Sequence, residues 1–172
     1  MSYTTNRQPQ GTAFSVGNFL RETMIGELVA INDYSEHIHL CNLDEVNKIL
    51  HHILEEEKKH YGMLLNALRK VDKAQAEKAE EVNEQPSIKS KPLKYTTEKG
   101  KNCSTLLNAI RFDIKGELEA IISYEDVFQK LTDPVLKAML REIINDEIEH
   151  VEELTRILLF LDKDCYGPLN TN

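Results

Sequence analysis

Two short motifs hold the acids and imidazoles best placed to do chemistry, Glu57-Lys58-Lys59-His60 and Glu147-Ile148-Glu149-His150. Thirty residues before the glutamate of each stands another, Glu27 and Glu117. Residues three apart on a helix share a face, so each Glu-x-x-His presents a carboxylate beside an imidazole. All six positions fall in apolar rows, where a plain helical bundle carries Leu or Ile. A buried carboxylate without a partner is costly and is normally protonated or paired instead. Four in one core are explained by cations: two divalent ions carry the four positive charges that four carboxylates lack. Carboxylate and imidazole together suit iron or manganese better than zinc, which prefers a four-coordinate nitrogen and sulfur site.

The rows themselves define the elements. Leu20, Met24, Glu27, Ile31, Tyr34 and Ile38 step by four and three, as do Val46, Leu50, Ile53, Glu57, His60, Leu64 and Ala67. A third row runs Ile110, Ile114, Glu117, Ile121, Tyr124, Phe128 and Leu131. A fourth runs Leu136, Leu140, Ile143, Glu147, His150, Leu154, Ile157 and Leu161. This spacing predicts four long amphipathic helices, over about 16–41, 44–71, 104–131 and 134–161. Asn42-Leu43-Asp44 separates the first pair, with Asp44 as N-cap. Thr132-Asp133-Pro134 separates the second, with Asp133 as N-cap and Pro134 in the first helical position. Such short breaks make antiparallel hairpins. The midpoint of Glu27 and Glu57 is residue 42 and that of Glu117 and Glu147 is residue 132, so each hairpin brings its two glutamates level. The level lies about 22 Å from each turn at 1.5 Å per residue.

Between the hairpins, residues 72–102 are dense in Lys and Glu, with Pro86, Pro92 and Gly100. This stretch cannot build a core of its own. It reads as a charged crossover along the bundle, partly helical over Ala74–Asn83, with a tether between separate hairpins as the alternative. The 172 residues then make a single all-α domain, 1–172. Seven Gly, five Pro and no Trp argue against a turn-rich β architecture. The net charge of −8 disfavours nucleic acid as a partner. No apolar run approaches the roughly 18 residues of a membrane span. Met1–Gln10 lacks an apolar signal core, so the expected location is the cytoplasm. Cys41, Cys103 and Cys165 form no Cys-x-x-Cys pair and read as reduced thiols, with a Cys103–Cys165 bridge as the alternative.

Laying residues 21–72 on 111–162 reveals a repeat. Arg21, Gly26, Glu27, Tyr34, Glu57, His60 and Asp72 recur at a shift of 90, with seven Leu, Ile or Ala identities besides, fourteen in 52 positions. Shared Leu and Ile follow from any common core; the recurring Glu, Tyr and His do not.

On these residues the chain resembles the ferritin-like di-iron carboxylate proteins, in the branch of rubrerythrin and bacterioferritin, over roughly residues 15–162. The motifs are Gly26-Glu27-Leu28…Tyr34, Glu57-x-x-His60, Gly116-Glu117-Leu118…Tyr124 and Glu147-x-x-His150. The resemblance implies a ferritin-like four-helix bundle, made of two antiparallel hairpins joined by a long crossover, around two iron ions. It implies that Glu57 and Glu147 bridge the metals, that Glu27 and Glu117 are terminal carboxylates, and that His60 and His150 serve one metal each. Tyr34 and Tyr124 would hydrogen-bond ligand carboxylates, or else stand as core aromatics with their hydroxyls at the bundle edge. Glu56 and Asp146 resemble the acids that orient ligating imidazoles, though Glu56 also reads as one acid in a solvated run.

Two departures shape the expected function. The cysteines of a rubredoxin-like electron domain are absent, and Ala120 stands where rubrerythrin carries a further glutamate. The implied activity is an oxidoreductase in which Fe(II) reduces hydrogen peroxide or O2, as a peroxidase fed by an external electron donor or as a ferroxidase. Ferritin-type iron storage and manganese catalase-like chemistry are the alternatives, and a homo-oligomer is expected. His37, His39, His51 and His52 have no repeat partners and read as surface residues, or as a site where iron is admitted. Asp113, four residues before Glu117, reads as a charged flank or as an aid to that admission.

Overall fold

The computed structural model describes residues 14–85, 103–162 and 166–167. Among these there are five helices and no strands: α1 (Val16–Leu40), α2 (Asp44–Val71), α3 (Lys73–Asn83), α4 (Cys103–Phe128) and α5 (Pro134–Leu161). α1 packs along α2 and α4 along α5, and the two hairpins meet through α1–α4 and α2–α5. They close one four-helix bundle, which excludes separate tethered hairpins. α3 falls inside the charged crossover and packs on α2 with no buried residue of its own. The rest of the crossover, residues 86–102, lies outside the described residues. So do Cys165 and the side chain of Cys103, and with them the bridge considered between them. Cys41 is buried, its sulfur 3.4 Å from the backbone N–H of Leu43.

Local chemistry explains most of the helix ends. Asp133 caps α5 as expected: one carboxylate oxygen accepts from the backbone N–H of Val135 at 2.7 Å and of Leu136 at 3.2 Å, with Pro134 beginning the helix. Asp44 does not cap α2. Leu43 takes the extended N-cap backbone without a side-chain bond, and Asp44 is the first helical residue. There its charge faces the positive end of the helix dipole instead of closing an N–H. α4 ends at Phe128, three residues before the expected boundary. The N–H of Lys130 bonds to the carbonyl of Val127 at 2.8 Å, a tighter turn that drops Leu131 into the core. Pro134 keeps Asp133 out of the helical region, with φ −73° and ψ 120°, so the break between α4 and α5 is held open at its far side.

At the far ends of the hairpins the repeat supplies matching clamps. The Arg21 guanidinium donates to Asp72, and that of Arg111 donates to Asp162. Tyr166 joins the second clamp, donating to Asp162 at 2.6 Å and accepting from Arg111 at 2.8 Å.

The apolar core is divided. One cluster gathers Phe19, Leu20, Leu64, Leu68, Leu140 and Ile143 around Tyr124, and the other Ile38, Leu50, Ile53, Ile110, Leu154 and Ile157 around Tyr34. Between them lies a band of buried polar groups that includes all six glutamates and histidines of the apolar rows.

Removing a cap that makes two bonds should cost about 1 kcal/mol. Asp133→Ala is therefore expected to lower unfolding stability by about that amount, and Asp44→Ala by less. Urea denaturation of the chelator-treated protein checks the order of the two, which reverses if Asp44 is the true cap.

Candidate metal centre

The hairpin geometry brings four helices to one level. Glu27 comes from α1, Glu57 and His60 from α2, Glu117 from α4, and Glu147 and His150 from α5. None of the six is more than 5% exposed. Their ligand atoms fall into two groups, each with every atom within 4.8 Å of the others. One group is Glu27, Glu57, His60 and Glu147; the other is Glu57, Glu117, Glu147 and His150. Glu57 and Glu147 belong to both, so they occupy the place between two positions. Glu27 with His60, and Glu117 with His150, flank them on either side.

Each imidazole turns one nitrogen inward and the other to an acid of the opposite hairpin. His60 Nε2 lies 3.1 Å from Asp146 Oδ2, and His150 Nε2 lies 3.0 Å from Glu56 Oε2. The inward nitrogens meet the shared carboxylates: His60 Nδ1 is 3.4 Å from Glu147, and His150 Nδ1 is 3.1 Å from Glu147 and 3.2 Å from Glu57. Glu56 is thus half-buried behind an imidazole and is not a freely solvated acid. The tyrosines cross between hairpins in the same way. Tyr34 donates to Glu117, and Tyr124 donates to Glu27 at 2.8 Å. Both phenols are buried core residues, and their hydroxyls face the carboxylates, away from the bundle edge.

Three atoms inside the cluster are buried with no hydrogen-bond partner: Glu57 Oε1, Glu147 Oε1 and His60 Nδ1. Two acceptors and a ring nitrogen facing one interior space are what a divalent cation satisfies and another side chain does not. The donor set fits two such ions. Between α1 and α4 a cavity of about 30 Å³ reaches these groups past Gly26, Gly116 and Ala30. That is room for one or two molecules the size of water.

Over residues 18–158 the sequence matches the Rubrerythrin family. The chain belongs to the rubrerythrin family. Its fold is similar to that of a hypothetical protein from Pyrococcus furiosus, with a TM-score of 0.66 at 18% identity over 89% of this chain and 94% of that one. It is also similar to a two-domain protein from Anabaena variabilis that contains DJ-1/ThiJ/PfpI-like and ferritin-like domains. There the TM-score is 0.64 at 13% identity over 94% of this chain and 42% of that one. No curated protein matches the chain in sequence. These likenesses carry the ferritin-like fold, and no described helix is long and apolar enough to cross a membrane.

Beside this rubrerythrin-family cluster sits a pair whose arrangement the sequence conceals. Asp113 is buried, not a charged flank, and its Oδ2 lies 2.9 Å from His37 Nδ1. His37 is half-buried and so departs from the surface reading, and His39 turns its ring to the Ser35 carbonyl at 2.5 Å. His51 and His52 are exposed. The signal for Asp113 was its position one turn from Glu117 on the same helical face. Its partner is 76 residues away and has no counterpart in the repeat.

Without cations, protons must stabilise the cluster. Burial, then the Glu57 charge, raises Glu27 well above the usual carboxylate range, and burial with the Glu147 charge does the same to Glu117. Burial and Glu147 push Glu57 up to about 8. Burial also pushes Glu147 upward, but the hydrogen bond from His150 and the nearby His60 ring outweigh it and bring that group to about 2. For His150 burial favours the neutral ring, and the bond to Glu147 with the nearby Glu57 carboxylate overcomes it, raising the ring to about 12.

Above about pH 4.5 the folded state therefore holds protons that the unfolded chain has released. Glu57 holds one between about 4.5 and 8, and His150 holds another between about 6.5 and 12. The contribution from Glu147 is complete above about 4.5 and is lost only as pH falls toward 2. Chelator-treated protein should thus lose stability from about pH 5 to pH 8, by about 1.4 kcal/mol per pH unit for each extra proton held. Scanning calorimetry at stepped pH checks this; a melting temperature that climbs over that range contradicts the protonated cluster.

Proposed function

We propose that this chain is a di-iron carboxylate oxidoreductase in which Fe(II) reduces hydrogen peroxide or dioxygen. The observation that carries the reading is the pair of four-residue ligand groups sharing Glu57 and Glu147 inside a buried band. In this reading Glu57 and Glu147 would serve both ions, Glu27 and His60 would hold one, and Glu117 and His150 would hold the other. When bound, the two irons supply electrons and share the charge that develops on both oxygens of the oxidant.

The rest of the work falls to the side chains around them. Tyr124 and Tyr34 each fix one oxygen of a terminal carboxylate, Glu27 and Glu117, through a donated hydrogen bond. Burial, then the neighbouring carboxylate charges, raises both phenols well above their ordinary range, so they stay neutral donors. Asp146 and Glu56 accept from the outer nitrogens of His60 and His150, which holds Nδ1 of each ring toward the centre. The two apolar clusters close off water along the bundle axis. The small cavity beside Gly26 and Gly116 is matched in size to a small oxidant such as peroxide or O2. Peroxidase turnover consumes electrons, so this reading includes an electron donor as a partner.

Anaerobic titration with Fe(II) is expected to saturate at two ions per chain, and stoichiometric peroxide or O2 then to produce the absorption band of oxidised, carboxylate-bridged iron. The faster oxidant in stopped-flow mixing identifies the substrate. Glu57→Ala and His150→Ala should each lower uptake below two ions. Undiminished uptake in either variant removes that residue from the site, and the absence of any oxidation band refutes the activity.

A further inference from the structure

The repeat relating the hairpins is broken where it borders the cluster. One turn before Glu117 stands Asp113, whereas the matching residue before Glu27 is Thr23. Asp113 is 6% exposed and lines the cavity that the shared carboxylates also line, with His37 behind it at 2.9 Å. Thr23 is as deeply buried but uncharged, and its hydroxyl donates to the Phe19 carbonyl at 3.0 Å. Asp33 lines the same cavity, and its match is Ser123. Even with the His37 ring protonated, Asp33 and Asp113 leave one negative charge on this side; Thr23 and Ser123 leave none.

The surroundings of the acids behind the imidazoles differ too. Lys59 Nζ lies 3.4 Å from Asp146, the acid behind His60, and 3.0 Å from Glu142. In the other half an acid, Glu149, occupies the place that matches Lys59. There the acid behind His150, Glu56, lies 3.6 Å from His52 Nε2. The Lys59 cation thus stands beside Asp146, partly offset by Glu142, while the sequence carries an acid, Glu149, at the matching place in the other half.

We infer that the two cation positions differ in affinity: the one flanked by Glu117 and His150 fills first, and the one flanked by Glu27 and His60 fills second and more weakly. This rests on the metal reading above. Buried charge is less screened than exposed charge, so Asp113 sets the stronger position and Lys59, half in solvent, weakens the other by less. Repulsion between two ions would separate the binding steps even in a symmetrical site, so the outer residues are the test.

Chelator-treated full-length protein is titrated with Co(II) alone, followed by visible absorption and calorimetry. Asp113→Asn, which keeps the shape beside His37, should weaken the stronger step roughly tenfold and leave the weaker one in place. Lys59→Met, on the surface, should tighten the weaker step roughly fivefold, and Lys59→Arg should keep the parent isotherm. Equal steps in the parent protein, a shift of the wrong step by Asp113→Asn, or like behaviour of the Met and Arg variants overturns the inference while two ions still bind. A chain that takes up no cobalt overturns the metal reading with it.

Discussion

Four carboxylates placed within reach of one another in a dry interior set the terms for everything else in this bundle. Their mutual repulsion and lost hydration are tolerable only with positive charge between them, whether as cations or as protons. In the metal-free protein the protons are unevenly distributed. Glu147 stays ionised because both imidazoles face it, while Glu27, Glu57 and Glu117 are driven toward the neutral form. The same groups that could hold cations are accommodated without them in a different charge state.

Orientation comes from across the bundle. Tyr34 of the first hairpin holds Glu117 of the second, and Tyr124 of the second holds Glu27 of the first. Glu56 stands behind His150, and Asp146 behind His60. Glu27, Glu117 and both imidazoles are thus each aimed by a residue of the other hairpin, which they meet only after the hairpins have docked. The two apolar clusters supply the docking energy on either side of the polar band, so packing and site geometry form together.

Much of this was legible in the residues. Spacings of three and four mark the helices, the two Glu-x-x-His motifs and their partners thirty residues earlier mark the level, and Asp133-Pro134 marks a helix start. What stayed hidden depends on register between helices. The acids at 56 and 146 are visible, but which ring each faces is decided by α2–α5 packing. Asp113 looks like any acid on a helix until α1 brings His37 against it. Arg21 and Asp72 recur in the repeat as Arg111 and Asp162, yet a pair 51 residues apart reads as an ion pair only once the hairpin is folded. Asp44 misled because its side chain suits a cap, yet the backbone places the N-cap one residue earlier, at Leu43.

The crossover from α2 to α4 separates two hairpins that each contribute two glutamates and a histidine. Two identical copies of one hairpin, associating about a twofold axis, would assemble the whole set without any connection. Such a homodimer is bound to place the same neighbour on both sides of its axis. Fusing the copies into one chain lifts that restriction, because each half can then change alone. Asp113 opposite Thr23, and Lys59 opposite Glu149, are differences that only a fused chain can hold.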